Sequence, residues 1–294
     1  MNRDYLIRGI EKEGKFKFVA VNTTDIVNVS RDKHQTSKTA SAALGRTISA
    51  AALMSTMLKN RNDSLTLIIA GNGIAGNILV SANNKGEIKG YIENPSADLP
   101  LNDLGKLDVA GIVGRSGYVK TIMDLGMKEA YVGQSEIISG EIAEDIAYYF
   151  LQSEQTNTAI ALGVLVDKDL SIKHSGGYMI QLLPGCTEED ISKLEKSIGS
   201  KKSMTELMDE KDSLEDIVSY ILEDFEIEIL EEKDLEWKCL CSRERTIQTL
   251  KALGKDQLSE IIEEDGKAEV VCHFCNEKYN FNKDQLVEIL NEIK

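Results

Sequence analysis

Four of the five cysteines fall in the last 56 residues, as Cys239-Leu240-Cys241 and, after 30 intervening residues, Cys272-His273-Phe274-Cys275. Two short cysteine pairs brought together supply four thiolates, the tetrahedral ligand set of a closed structural zinc site. The spacing therefore predicts one Zn2+ per chain on Cys239, Cys241, Cys272 and Cys275. Iron suits the same donors, but zinc is the better match for a module without cluster chemistry. His273 is an alternative ligand, although its neighbours already complete the set. Cys186 stands alone after Pro184-Gly185 and reads as an ordinary thiol.

Adjacent thiolates lie close enough to oxidise once a metal is lost. Lys238, Arg243 and Arg245 flank the first pair in an otherwise acidic region. They either favour thiolate character or only solubilise the knuckle, and the sequence does not choose between these. A module of this size has a marginal core, whereas structural zinc contributes about 10–16 kcal/mol of apparent binding free energy. Oxidation that ejects the ion is thus expected to unfold it.

The elements that must position these cysteines belong to two compositional regimes. Up to Gly185 there are 19 basic and 20 acidic residues; beyond it there are 15 and 29, so nearly all of the net −15 lies in the last third. Glycine has the opposite bias, with 19 of 22 before that point, and so do all three prolines. The first regime reads as α+β. YLIRGI and KFKFVAVN form a hairpin turned at Glu13-Gly14, with Phe16, Phe18 and Ala20 alternating at strand period. Residues 36–59 carry Ala43, Leu44, Ile48, Ala51 and Ala52 as the apolar stripe of a core helix. SLTLIIA, NILVSAN and EIKGYIEN follow as strands, with Asn84-Lys85-Gly86 as a turn. A helix over 141–153 then precedes the strands TAIALGVLV and SIKHSGGYMIQLL.

After Pro184-Gly185 the pattern turns helical and acidic. Ile191, Leu194 and Ile198 share one face, and Leu214, Ile217, Val218, Ile221 and Leu222 form a stripe that must be buried on something. Glu215, Asp216, Glu223 and Asp224 surround that stripe and are expected to repel one another. The predicted organisation is a sheet-and-helix domain over 1–184, an acidic helical linker over 185–235 and a metal-binding domain over 236–294.

The acidic balance argues against nucleic-acid or anionic-membrane binding. No apolar run approaches a membrane span, and the charged opening MNRDYLIRGIEKEGK does not read as a secretory signal. A cytoplasmic setting is expected. Gly71-Asn72-Gly73-Ile74-Ala75-Gly76 matches G-x-G-x-x-G, but strand-like sequence follows where a pyrophosphate-binding helix would be needed, so a loop between paired strands is predicted. His34 reads as a polar helix entry and His174 as a loop or edge-strand residue. No catalytic constellation emerges, and the chain is not expected to be an enzyme.

WKCLCSRER and VVCHFCNEKYNF, together with GNGIAGNILVSANNKGEIKGYIENP, SGEIAEDIAYYFLQSEQ and GGYMIQLLPG, resemble the redox-regulated holdase chaperones of the 33 kDa chaperonin (heat shock protein 33) family over the whole chain. One departure is Asn157, where the family usually has proline. The resemblance implies an ATP-independent holdase that protects unfolding proteins from aggregation under oxidative stress. Its reduced, zinc-bound form would be inactive. Oxidation would pair Cys239 with Cys241 and Cys272 with Cys275, release zinc, unfold the linker and expose surface for unfolded clients. The stripe Leu214, Ile217, Val218, Ile221 and Leu222 would couple zinc loss to client binding, and a homodimer is one form open to the oxidised chain. The rival readings are a zinc-ribbon nucleic-acid-binding protein and a thiol-disulfide oxidoreductase, the latter lacking a thioredoxin-like βαβ context around C-x-x-C.

Overall fold

The opening alternation becomes strands β1 (Tyr5–Glu11) and β2 (Phe16–Asn22), seen in a computed structural model that describes residues 3–293. Gly14 takes φ 77° in the turn, a conformation that costs glycine little, and the Glu11 carboxylate accepts the N–H groups of Glu13 and Lys15. Helix α1 (Thr24–His34) and helix α2 (Lys38–Met54) follow. Ser37 caps α2, its Oγ accepting the Ala40 N–H at 3.1 Å. His34 therefore closes one helix, and the entry to the next belongs to Ser37; the reading of His34 as a helix entry is corrected.

Strands β3 (Ser64–Gly71), β4 (Asn77–Asn83) and β5 (Glu87–Ile92) come next, then the short helix α3 (Val109–Val113) and strands β6 (Gly117–Asp124) and β7 (Tyr131–Glu136). Helix α4 (Ala143–Ser153) leads to β8 (Thr158–Val166) and β9 (Ile172–Leu182), and helices α5 (Glu188–Gly199), α6 (Met204–Glu210) and α7 (Leu214–Ile221) to β10 (Ile227–Asp234) and the two-residue β11 (Glu236–Trp237). One sheet has the order β10-β1-β2-β9-β8 and is antiparallel throughout; the other has the order β11-β5-β4-β3-β6-β7. The α+β class expected from the sequence is the class observed.

Helix α2 packs on β8 and β9 of one sheet and on β4 and β5 of the other. Only Lys38 and Arg46 of its 17 residues escape burial, so an Ala-rich helix lies where a single apolar stripe was expected. His174 lies in β9, opposite Leu165 of β8 and beyond the end of the β2 ladder at Gly176, and its Nε2 is 3.0 Å from the Asp209 carboxylate. Of the two positions expected for it, the loop is corrected, and a strand position paired on one side only is what is found. Gly71 to Gly76 joins the antiparallel strands β3 and β4, as predicted. The Gly73 and Ala75 N–H groups donate to the carbonyls of Val113 and Ile112, so they are not available to a phosphate.

Phe16, Phe18 and Ala20 alternate as expected, yet Val19 and Val21 are buried as well. The five-stranded sheet has a core on each face. Val19 and Val21 join the interior around α2, while Phe16, Phe18, Ala20, Tyr5, Ile7, Tyr178 and Ile180 meet α5, α6 and α7 on the opposite face. Leu214, Ile217, Val218, Ile221 and Leu222 are all buried there. A void of only about 10 Å³ remains between α7 and the sheet. Residues 185–235 thus form a layer on the sheet, completed by β10, which pairs antiparallel with β1. Asp216 caps back to Ser213, Glu223 pairs with Lys201, and Glu215 accepts the Tyr5 hydroxyl. Three of the four carboxylates expected to repel are individually engaged.

The chain divides into two compact units, one running through Lys238 and the other beginning at Cys239. The second contains α8 (Arg243–Ala252), α9 (Lys255–Glu264), the antiparallel hairpin β12 (Lys267–Val271) and β13 (Lys278–Asn282), and α10 (Lys283–Glu292). Its core consists of six buried side chains, Leu250, Leu258, Ile262, Phe281, Leu286 and Ile289. So small a core leaves stability to be supplied by something else. Among the described residues, no helix is long and apolar enough to cross a membrane.

Candidate metal centre

Each cysteine pair is held by a backbone device next to a regular element. Cys239 and Cys241 lie in the extended segment before α8, where Ser242 Oγ accepts the Arg245 N–H and fixes the chain's entry into the helix. Cys272 and Cys275 occupy the turn of the β12–β13 hairpin. Its stem ends at the Val271–Lys278 pair, and the Cys272 N–H donates to the Glu277 carbonyl at 2.9 Å. The Asn276 N–H donates to the Cys272 carbonyl at 2.8 Å with Asn276 at φ 57°, a left-handed conformation that asparagine tolerates. The tight turn brings both of its thiols to one side.

The four Sγ atoms lie within 4.8 Å of one another, with 3.7 Å between Cys239 and Cys272 and 3.3 Å between Cys241 and Cys275. Four sulfurs at about 2.3 Å from a common ion would stand roughly 3.8 Å apart. The four cysteines are therefore positioned to bind one metal ion, and their number leaves no vertex of a tetrahedron for water. His273 is not in the group, so the alternative that gave it a ligand position is not supported.

Burial pushes the Cys239 and Cys275 thiols up. Burial acts on Cys241 in the same direction, but hydrogen bonds from Tyr279 and the facing thiols outweigh it and hold Cys241 below the usual thiol range. Binding a cation here must displace protons. The Tyr279 hydroxyl donates to Cys241 Sγ at 3.2 Å, a contact that orients the sulfur and spreads its charge. The sequence reading passed over Tyr279, although it stands only four positions after Cys275.

Two of the three cations flanking the first pair are occupied elsewhere. Lys238 Nζ pairs with Glu87 at 2.6 Å and with Glu236 at 3.1 Å, and Arg243 donates to the Asn280 carbonyl and lies over the Phe281 ring. Neither serves to stabilise the thiolates. Cys186, partly buried and raised by that burial, is remote in sequence from the cluster and not part of it.

Comparison with known proteins agrees with this geometry. The profile of the family described as "Hsp33 protein" matches residues 4–282. A 33 kDa chaperonin of Clostridium botulinum (strain 657 / Type Ba4) is 45% identical over 288 residues, 98% of this chain and 97% of its own. One from Caldanaerobacter subterraneus is 45% identical over 98% of each chain. The crystal structure of the 33 kDa chaperonin (heat shock protein 33 homolog) of Thermotoga maritima superposes with a TM-score of 0.90 at 35% identity, covering 99% of this chain and 98% of that one. These relatives are named as chaperonins, a non-enzymatic class. On profile, identity and fold together, the chain belongs to the Hsp33 family.

Proposed function

We propose that this chain is a redox-regulated, ATP-independent holdase of the cytoplasm, which holds unfolding proteins during oxidative stress. The observation that carries the reading is the closed cluster of four thiols in a unit whose own core is only six side chains. In the reduced state Cys239, Cys241, Cys272 and Cys275 would hold one Zn2+, chosen over other ions because an all-thiolate tetrahedron suits it. Two equivalents of a two-electron oxidant would each take two electrons from one pair of thiolates, forming the disulfides Cys239 with Cys241 and Cys272 with Cys275 and releasing the ion.

A unit that owes about 10–16 kcal/mol to its metal would then unfold. Residues 185–235 would act as the linker that responds. The chain passes from β10 through β11 to Cys239 within five residues, so unfolding beyond Cys239 frays the strand that closes the linker layer. Release of α7 would uncover Leu214, Ile217, Val218, Ile221 and Leu222 together with Phe16, Phe18 and Ile180, a large apolar surface suited to unfolded clients. Homodimer formation by the oxidised chain would be one way to cover part of that surface.

The test is light scattering from a heat-unfolding client with reduced and oxidised protein, zinc release being followed in parallel with a chelating dye. Suppression of aggregation by the oxidised, zinc-free protein alone is expected. Equal holding by both forms would overturn redox control, and holding by neither would overturn the holdase reading. Retention of zinc in an oxidised, active protein would break the proposed link.

A further inference from the structure

Helices α4 and α5 each turn one face toward the same space. On α4 that face is Glu144, Ala147, Tyr148 and Leu151, and on α5 it is Ile191, Leu194, Glu195 and Ile198, both at the i, i+3, i+4, i+7 spacing of a single helical stripe. Between them lies a groove of about 520 Å³, floored by the ends of β8 and β9, whereas the void beneath α7 is only about 10 Å³. The linker layer is thus closely packed at α7 and leaves a concavity at α5. Nine of the fourteen residues that line it are apolar, and Ile138 and Leu151 stand in it half exposed, at 50% and 48%. Concavities of roughly 300–1,000 Å³ with mostly apolar walls are the usual sites of small organic ligands.

The charge of the groove has one sign. Glu144 and Glu195 are both exposed, neither makes an ion pair among the described residues, and no lysine, arginine or histidine is among the lining residues. Apolar walls with two uncompensated carboxylates are complementary to a cation carried on an apolar body. They repel a fatty-acid anion of the same shape. They also disfavour a second copy, because symmetric docking would bring four carboxylates together in a chain of net charge −15.

We propose that the groove between α4 and α5 binds an amphipathic organic cation, an alkyl- or arylalkylammonium whose apolar body fills the groove and whose ammonium group meets the carboxylates of Glu144 and Glu195. Helix α4 precedes the linker and α5 belongs to residues 185–235, so the site is complete only while the linker layer is docked. Its occupant therefore belongs to the resting form and leaves when the linker is released for clients. This consequence rests on the holdase reading. A ligand that binds only the docked linker favours that state by one plus the ratio of free ligand to Kd, about tenfold at ten times Kd. The cation restrains activation, and by reciprocity release of the linker expels the cation.

The probe is n-decylammonium, kept below micelle formation and titrated by calorimetry into the full-length, reduced, metal-bound protein. One molecule per chain is expected to bind saturably, and decanoate, of similar shape and opposite charge, about tenfold or more weakly. Leu151→Lys, at an exposed wall position, should abolish binding. Glu144→Gln combined with Glu195→Gln, which removes charge and little else, should weaken it roughly five- to tenfold. At ten times Kd the amides of 188–199 should exchange about tenfold more slowly. The time to half-maximal client holding after addition of peroxide should lengthen several-fold, but not in Leu151→Lys. Equal affinity for decanoate or an unchanged affinity of Leu151→Lys overturns the proposal, as does uptake of many molecules per chain, which is adsorption of an amphiphile only. Binding without protection of 188–199 overturns it as well, since docked α5 is then no wall of the site. A dimer in sedimentation that Leu151→Lys splits, without cation binding, assigns the groove to a second copy instead. Saturable binding and protection in a protein that never holds clients would remove the holdase reading and keep the site. Client holding by the oxidised protein, with no uptake of the cation by the reduced one, would do the reverse.

Discussion

Tyr5 on β1 and Leu214 at the start of α7 are tied by a hydrogen bond in which the Leu214 N–H donates to the Tyr5 hydroxyl at 2.8 Å, while that hydroxyl donates to Glu215 at 3.1 Å. Burial pushes the Tyr5 hydroxyl up to about 12, so it keeps its proton across the physiological range. One side chain of the sheet thereby satisfies a free N–H at the first turn of the helix that lies across it.

Tyr5→Phe keeps the ring but leaves that N–H without a partner in a buried place. The expected cost is about 1–3 kcal/mol, concentrated on α7. Hydrogen exchange should show the amides of 214–222 opening faster in the reduced protein, with those of α2 unchanged. Equal protection in both proteins would mean that the apolar contacts alone hold α7.

Asp4 should give stability a dependence on pH. It is buried, its carboxylate accepts the N–H groups of Ile26 and Asp25 at 2.7 and 3.1 Å, and burial raises its pKa to about 7. An unfolded aspartate titrates near 3.9. Since the folded value is the higher, folding favours the protonated form. The contribution is fully present below about pH 4 and is lost as pH rises through 7, at a slope of at most about 1.4 kcal/mol per pH unit. Denaturant midpoints of the reduced protein should therefore fall between pH 5 and pH 8, and Asp4→Asn should remove that part of the fall. An identical pH profile in Asp4→Asn would assign the dependence to other groups.

The cysteine cluster makes two predictions that separate ligand from support. Cys272→Ser should reduce bound zinc to less than half an equivalent in anaerobically purified protein, because three thiolates leave the tetrahedron open. Tyr279→Phe should keep a full equivalent but surrender it to a chelator at a concentration about 10–100-fold lower, by loss of the hydrogen bond to Cys241. A Tyr279→Phe protein with unaltered chelator resistance would show that the hydroxyl does not tune the site.

The metal centre was legible in the sequence because its signal is local: two pairs, each within four residues, need only one turn and one helix start to place them. The stripe along α7 was legible for the same reason, since helical spacing shows within nine residues. What covers it was not. The face formed by Phe16, Phe18 and Ile180 comes from strands more than 160 residues apart, and strand alternation does not reveal that Val19 and Val21 are buried on the other side. His174 illustrates the same limit, because a polar residue next to Ser175 and two glycines looks like a loop until Leu165 of β8 pairs with it. The engagement of Glu215 by Tyr5 and of Glu223 by Lys201 was equally invisible, so charges that seemed to loosen the linker are partners in it.

Ile217→Asp tests whether this layer is the latch. Ile217 is fully buried against the sheet, beside Leu214, Val218 and Ile221, with almost no free volume beneath α7. An aspartate there has no partner among apolar neighbours, at a cost of several kcal/mol, enough to free α7 while zinc stays bound. The variant is expected to bind a hydrophobic dye, lose helical signal, become protease-sensitive within 185–235 and hold clients without oxidation. If it stays inactive and protease-resistant until oxidised, another element restrains the surface. If the linker opens but clients are never held, the apolar side of α7 is itself needed for the grip, because the substitution then removes the binding surface in the act of uncovering it.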